Sequence, residues 1–258
     1  MLTLSFSQYA LGGVAGSVVG LTLGLVGGGG SILAVPLMVY LVGVDQPHVA
    51  IGTSAIAVAA NAATNLANHA RRGNVKWPCA LIFTAVGMLG AAVGSTIGKA
   101  IDGHKLLALF AMLMLVVSAL MLKNRRSATS TETVRCSENA PRLALIGGLA
   151  GTLSGVFGIG GGFLVVPGLI AATKMPILLA VGTSLVAVTA FGLTTAASYA
   201  LSGYVDWPLA GTFILGGAGG GMVGACLASR LSKSRGALNI VSAATMAATA
   251  MFVLYRSL

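Results

Sequence analysis

Long apolar runs separated by short polar stretches make up most of the chain. In the first half they cover residues 9–42, 49–69, 78–98 and 106–122. About 20 apolar residues are the length that a helix needs to cross the hydrocarbon core of a bilayer. The pattern therefore predicts membrane-spanning helices, and a cluster of glycines divides the first run into two pieces.

A single polar, basic stretch interrupts this pattern at residues 123–142. It contains Ser, Thr and Glu together with several arginines, a composition typical of a solvent-exposed loop. We predict a basic cytoplasmic linker here, between a first transmembrane repeat at residues 1–122 and a second at residues 143–258.

The second half repeats the local signals of the first. Pro36 matches Pro167 at an offset of 131 residues, and the other matched pairs share an offset of 130. Those pairs are Gly52-Thr53-Ser54 with Gly182-Thr183-Ser184, Trp77-Pro78 with Trp207-Pro208, Gly90 with Gly220, and Gly94 with Gly224. Repeated signals at a nearly constant offset indicate an internal duplication.

Glycines spaced four residues apart mark one face of the third helix in each half. Gly90, Gly94 and Gly98 form such a row in the first half, and Gly220 and Gly224 do so in the second. Small residues at this spacing let membrane helices approach closely. We therefore expect this face to pack against a neighbouring helix.

Clustered glycines interrupt the first apolar run of each half. Residues 27–30 are all glycine, and the sequence Gly-Ile-Gly-Gly-Gly occupies residues 158–162. Each glycine in a helix interior costs about 1 kcal/mol relative to alanine, so an uninterrupted helix is unfavourable at both places. We predict a glycine-broken helix pair in each half, re-entrant or discontinuous, followed by three transmembrane helices. The two breaks are expected to face each other across the substrate.

Composition agrees with a membrane protein. The chain has 258 residues, of which 56% are hydrophobic and 8% charged, whereas soluble domains carry about 25% charged residues. We therefore predict an all-α polytopic integral membrane protein. Cys79, Cys136 and Cys226 are far apart without a Cys-x-x-Cys spacing, so neither a disulfide framework nor a metal site is expected.

The basic residues indicate how the two halves are oriented. The net charge of +10 comes from Lys and Arg in short loops, which mark the cytoplasmic side and do not indicate a nucleic-acid partner. With the linker inside, inverted halves leave only Lys99, Lys105 and Arg256 outside, so 12 of the 15 basic residues are inside. Parallel halves would place nine inside and six outside. The distribution therefore predicts two inverted-topology repeats.

The breaks are candidate anion sites. The start of a half-helix offers unpaired N–H groups and about half a positive charge, which can bind an anion without a basic side chain in the bilayer. The candidate residues are Gly28, Gly29, Gly30 and Ser31 in the first half and Gly160, Gly161 and Gly162 in the second. Alternatively, the glycines only permit a tight crossing of two helices.

The second helix of each half carries uncharged polar residues at helical spacing. The candidate substrate ligands there are Thr53, Ser54, Asn61 and Asn65 in the first half and Thr183, Ser184, Thr195 and Ser198 in the second. Such groups suit a small polar or anionic solute without burying charge. Hydrogen bonds between neighbouring helices are the alternative role.

Chemistry other than transport has little support in the sequence. All five acidic residues fall in predicted loops, which argues against a cation pump based on Asp or Glu. The Gly-x-Gly at residues 158–160 lacks the strand and the downstream acid of a dinucleotide site. We predict no enzyme, no catalytic residue and no cofactor, and we leave a homo-oligomer open.

At these residues the chain resembles the sulfite exporter TauE/SafE family of bacterial membrane proteins. The resemblance rests on residues 24–36 with 155–167 and on the paired Gly-Thr-Ser and Trp-Pro motifs. It implies transport, usually export, of sulfite, sulfoacetate or related organosulfonates across the inner membrane. We expect a multi-pass secondary transporter working by alternating access, and the alternative is an anion channel built on the same broken helices.

Overall fold

The described part of the chain is helical. A computed structural model describes residues 5–123, 136, 139–158, 160–231, 248–249 and 251, and none of these lies in a β-strand. The helices are α1 (Phe6–Val26), α2 (Ala34–Pro36), α3 (Pro47–Arg71), α4 (Trp77–Ala100), α5 (Gly103–Lys123), α6 (Ala140–Phe157), α7 (Gly162–Thr173), α8 (Ile177–Leu201) and α9 (Trp207–Leu231). Helices α1, α3, α4, α6, α8 and α9 are long and apolar enough to cross a membrane. The predicted all-α polytopic class is confirmed at this level.

Two predicted segments fall mainly outside the described residues. They are the linker, of which residues 124–135 and 137–138 are not described, and the last helix of the second repeat. The predicted domain boundaries therefore stay predictions.

Matching turns follow α3 and α8. Gly73 and Gly203 adopt positive φ angles of 70° and 75°, which glycine tolerates without steric cost. In both turns the backbone amide after the glycine donates to the carbonyl five residues earlier. These bonds run from Asn74 N to His69 O and from Tyr204 N to Tyr199 O. Each turn leads into a Trp-Pro sequence, where proline fits the first turn of α4 or α9.

Helices α3 and α8 form the central antiparallel pair. The Asp206 amide, just after α8, donates to Thr53 Oγ1 near the start of α3 at 3.0 Å. The Lys76 amide, just after α3, donates to Thr183 Oγ1 near the start of α8, also at 3.0 Å. The start of each helix therefore lies beside the end of the other. This pairing explains why Gly-Thr-Ser occurs once in each half.

Glycines bring the outer helices together in two parallel pairs. Gly16 and Gly20 of α1 face the carbonyl groups of Phe213 and Gly217 of α9 so closely that a Cβ would overlap them. The same arrangement joins α4 to α6, where the Gly87 carbonyl faces Gly151. Residue numbers rise together in each pair, so each pair is parallel.

The predicted glycine face of the third helices has this packing role. A Cβ at Gly90 would lie 2.5 Å from the Gly148 carbonyl oxygen of α6 and 2.9 Å from the Thr152 amide. Gly220 packs in the same way against the Ser17 carbonyl of α1. Both contacts confirm the expectation from the spacing.

The expectation that no disulfide forms is wrong for one pair. Cys79, in the first turn of α4, is bonded to Cys136, and their Cα atoms are 5.1 Å apart. The two cysteines are 57 residues apart in sequence. They meet because α4 and α6 pack in parallel, so that their starts are neighbours. Cysteine spacing does not encode such a tertiary contact.

Candidate functional site

The break in the second half is a glycine turn that folds the chain back on α6. Helix α6 ends at Phe157, and the amide of the next residue, Gly158, donates to the Ser154 carbonyl at 2.8 Å. Gly158, Gly160 and Gly161 all have φ near +60 to +70°, a conformation that costs other residues roughly 1–2 kcal/mol. Helix α7 then runs back along α6, since Gly168 faces Ile146. Three left-handed glycines thus separate two helices that a regular backbone would have joined.

This turn lies at the centre of the α3–α8 pair. A Cβ at Gly160 would lie 3.1 Å from Val188 Cγ1 and 3.3 Å from Val58 Cγ1. Val58 and Val188 are each the twelfth residue of a 25-residue helix. The N-terminus of α7 is therefore level with the middle of both central helices.

The break in the first half has a different backbone. Residues Gly27–Leu33 wind as a 3-10 helix, followed by the three-residue α2 and a π-helical turn at Leu37–Leu41. Gly30 packs on the backbone of Thr22 in α1, and Thr22 Oγ1 donates to the Gly30 carbonyl at 3.2 Å. Residues Gly30–Leu41 still form a short apolar helical segment, as Leu164–Thr173 do in the second half, but its turns are of 3-10, α and π type in succession.

The two breaks are in contact. The 3-10 segment packs against both α7 and α8. Gly28, Gly29 and Gly30 belong to that segment, and Ser31 in it is fully buried. Gly160 and Gly161 form the turn on the other side, and Gly162 is the first residue of α7.

Four of the predicted ligands hold the helix starts. Thr53 and Thr183 accept the two hydrogen bonds between the halves described above. Ser54 donates to the Ile51 carbonyl and Ser184 to the Val181 carbonyl, each within its own helix. These hydroxyls are engaged by the protein itself at opposite ends of the α3–α8 pair.

The two asparagines are buried with unused hydrogen-bonding capacity. Asn65 Nδ2 donates to the Asn61 carbonyl at 2.9 Å. Both polar atoms of the Asn61 amide, and Asn65 Oδ1, have no partner among the described residues. The two side chains face Gly217 and Gly221 of α9.

Thr195 and Ser198 on α8 differ in environment. Thr195 is fully buried, and its hydroxyl has no partner among the described residues. Ser198 is half-buried, and its carbonyl accepts a 3.1 Å hydrogen bond from Lys99 Nζ, which also donates to Ser202 Oγ. Ser198 thus lies beside a cation near the end of α8.

The structure does not bring Asn65 and Thr195 to one level. In the antiparallel pair Gly192 faces Ala55 and Ala59, so Thr195 lies near the level of Ala55. Asn65 is ten residues further along α3, about 15 Å at 1.5 Å per residue. The two side chains therefore lie on opposite sides of the centre, and Asn61 lies between their levels.

Sequence reasoning missed one polar residue at the second break. Ser154 of α6 is 1% exposed, and its hydroxyl has no partner among the described residues. Its Oγ would be 2.8 Å from a Cβ at Gly161. The available signal was its position four residues before Gly158, but only the folded turn shows that the two segments meet.

In the described part of the chain, no group of three or more His, Cys, Asp or Glu could hold a metal ion.

Comparison with known proteins identifies the family. The family model described as "Sulfite exporter TauE/SafE" matches residues 12–253. A "probable membrane transporter protein" of Xylella fastidiosa (strain 9a5c) is 51% identical over 247 residues, which cover 94% of each chain. The "probable membrane transporter protein YunE" of Bacillus subtilis (strain 168) is 28% identical over 235 residues, covering 83% of this chain and 86% of its own. No solved structure matches the chain. With its two glycine breaks and its paired motifs, the chain belongs to the sulfite exporter TauE/SafE family of membrane transporters.

Proposed function

We propose that this protein is a secondary transporter that exports small sulfur-containing anions across the inner membrane by alternating access. The substrates are sulfite, sulfoacetate or related organosulfonates. The observation that carries the proposal is the N-terminus of α7 at the middle of the α3–α8 pair. The family and its relatives support a membrane transporter, and the substrate class follows the family description.

The chemistry of this position suits an anion. The first N–H groups of a helix have no intrahelical acceptor, and the helix dipole adds about half a positive charge. A lysine at the same depth would cost about 3 kcal/mol or more to insert and would hold the anion tightly. Fixed backbone donors avoid both effects. The amides of Gly160, Gly161 and Gly162 are the proposed primary ligands.

The buried polar side chains then serve successive positions of the substrate. Asn61 lies nearest the centre and can complete the shell around the bound anion. Asn65 and Thr195 lie on opposite sides of the centre. We therefore assign each to the part of the substrate path on its own side of the centre, and not to one binding shell around the same anion. In this proposal the side of the site opposite the start of α7 is formed by Gly28, Gly29, Gly30 and Ser31.

The contacts between the halves support inverted repeats. Equivalent turns lie at opposite ends of the antiparallel pair α3 and α8. The distribution of Lys and Arg then assigns the end with Lys76 to the cytoplasm. Inverted repeats with interrupted helices at their interface allow one half to rock against the other around a fixed site. This motion is the proposed basis of alternating access.

Flux in proteoliposomes tests the function. Purified protein is reconstituted, sulfite is placed on one side and its appearance on the other is followed against protein-free vesicles. We expect flux that saturates with sulfite concentration and is inhibited by an organosulfonate. Flux that rises linearly without saturation would favour the channel, and the absence of sulfite and sulfonate flux would reject the substrate class.

A further inference from the structure

We propose that the hydroxyl of Ser154 is a ligand of the substrate, and that it binds the oxyanion head group together with the first amides of α7. The inference rests on the proposed function and extends it. The head group is the SO3 unit that sulfite and organosulfonates share. Ser154 thereby becomes the side chain that selects an oxygen-rich anion at the second break.

Ser154 lies against the start of α7. A Cβ at Gly161 would lie 2.5 Å from the Cβ of Ser154 and 2.8 Å from its Oγ. Gly161 is the residue that caps the start of α7. The serine hydroxyl is therefore directed at the end of α7 where its free amides lie, and no side chain at residue 161 separates them.

The Ser154 hydroxyl is without a partner among the described residues. Ser154 is only 1% exposed, yet its hydroxyl makes no hydrogen bond to any described residue. The buried serines Ser54 and Ser95 behave differently, since each donates to the carbonyl three residues earlier in its own helix. Buried polar groups nearly always have a partner, so a hydroxyl without one calls for an explanation, of which a bound water, ion or ligand is one.

The donors at this position suit an oxyanion. A serine hydroxyl and the amides of Gly161 and Gly162 are neutral donors, and the helix dipole makes their surroundings favourable for negative charge. An anion with several oxygen atoms can accept from both kinds of donor at once. Hydrogen bonds from a hydroxyl to a charged oxygen are stronger than bonds between neutral groups.

The two halves differ at the position of Ser154. At the offset of 131 residues that relates Pro36 to Pro167, the counterpart of Ser154 is Leu23, which is fully buried. After the first break the chain begins as a 3-10 helix, whereas α7 begins as an α-helix after left-handed glycines. At the second break the unengaged Ser154 hydroxyl lies beside that helix start, and Leu23 offers no hydroxyl at the matching place, so we expect one anion bound per chain.

The test compares Ser154→Ala with Ser95→Ala in detergent-solubilised full-length protein. Ser95 is as deeply buried, but its hydroxyl is bound to its own helix. Sodium sulfite and sodium methanesulfonate are the probes, and equilibrium binding and thermal unfolding are the readouts. We expect Ser154→Ala to weaken binding of both anions about tenfold or more, and Ser95→Ala to leave it unchanged.

Unfolding without anion separates a ligand from a structural role. If Ser154 only holds the fold, its substitution lowers the unfolding temperature and leaves affinity unchanged, which overturns the inference. If the Ser154 hydroxyl is a ligand that no described residue engages, Ser154→Ala without anion should unfold at the same temperature as the unsubstituted protein or at a higher one. Equal weakening by both variants, or two anions bound per chain, also overturns it. If the protein without substitutions neither binds nor transports either anion, the proposed function itself is rejected.

Discussion

Gly161 holds a backbone φ of 60° and faces Ser154 across the second break. The glycine cluster and its role in breaking the helix could be predicted from sequence, because glycine is unfavourable within a helix and favourable in a left-handed turn. The role of Ser154 could not, because its closeness to Gly161 arises only when α7 folds back on α6. Tyr199 and Asn61 are further cases: that their side chains are buried without a partner among the described residues is visible only in three dimensions.

Gly161→Ala should abolish transport. Alanine is strained at this φ by roughly 1–2 kcal/mol, and its Cβ would press against Ser154 and shift the start of α7. The matched control is Gly73→Ala, since Gly73 has a φ of 70° but nothing within 4 Å of its Cβ position. Sulfite flux in proteoliposomes checks both variants. Full flux in Gly161→Ala would contradict a site at this turn.

At the scale of elements, glycine spacing predicted which helix faces pack, but not which helices they meet. A row of glycines four apart identifies one face of a helix, because that spacing is close to one turn. The partner depends on the whole arrangement, which pairs α4 with α6 and α1 with α9. The Gly-Thr-Ser motif shows the same limit. Its repetition was visible, but its hydrogen bonds to the turn of the other half were not.

Thr53→Val and Thr183→Val should each destabilise the contact between the halves. Either change leaves one backbone amide, of Asp206 or Lys76, without its acceptor, at a cost of about 1–3 kcal/mol if the group stays buried. Thr194→Val is the control, because the Thr194 hydroxyl donates to the Ala190 carbonyl of its own helix and does not join the halves in the described part of the chain. Thermal unfolding in detergent measures the effect. If the unfolding temperature were unchanged in both variants, these hydrogen bonds would not contribute to holding the halves together.

At the scale of the whole molecule, sequence predicted the all-helical membrane class and the duplication, because hydropathy and repeated motifs are properties of the chain itself. It did not predict the disulfide. The bond between Cys79 and Cys136 lies near the turn at Gly73, on the side that the basic residues assign to the cytoplasm. Cytoplasmic thiols are normally kept reduced. We therefore expect free thiols at this pair in the cell and a bond after oxidation.

Cysteine labelling tests this topology. In a variant without native cysteines, a single cysteine replaces Gly73 or Gly203, the exposed glycines of the two equivalent turns. Inverted repeats predict that a membrane-impermeant maleimide added to intact cells, with the outer membrane permeabilised, labels residue 203 but not residue 73. Labelling of both residues, or of residue 73 alone, would contradict the orientation. Labelling after full permeabilisation confirms that both thiols are reactive.

The central claim is that an oxyanion binds at the start of α7, and locating a heavier analogue of sulfite tests it most directly. Selenite has the shape and charge of sulfite, and its selenium gives an anomalous signal in crystals of the protein. The account predicts one selenium peak within about 4–5 Å of the amide nitrogens of Gly161 and Gly162, as expected when oxygen accepts from those groups at ordinary distances. A peak at another place, in protein that transports sulfite, would contradict the account.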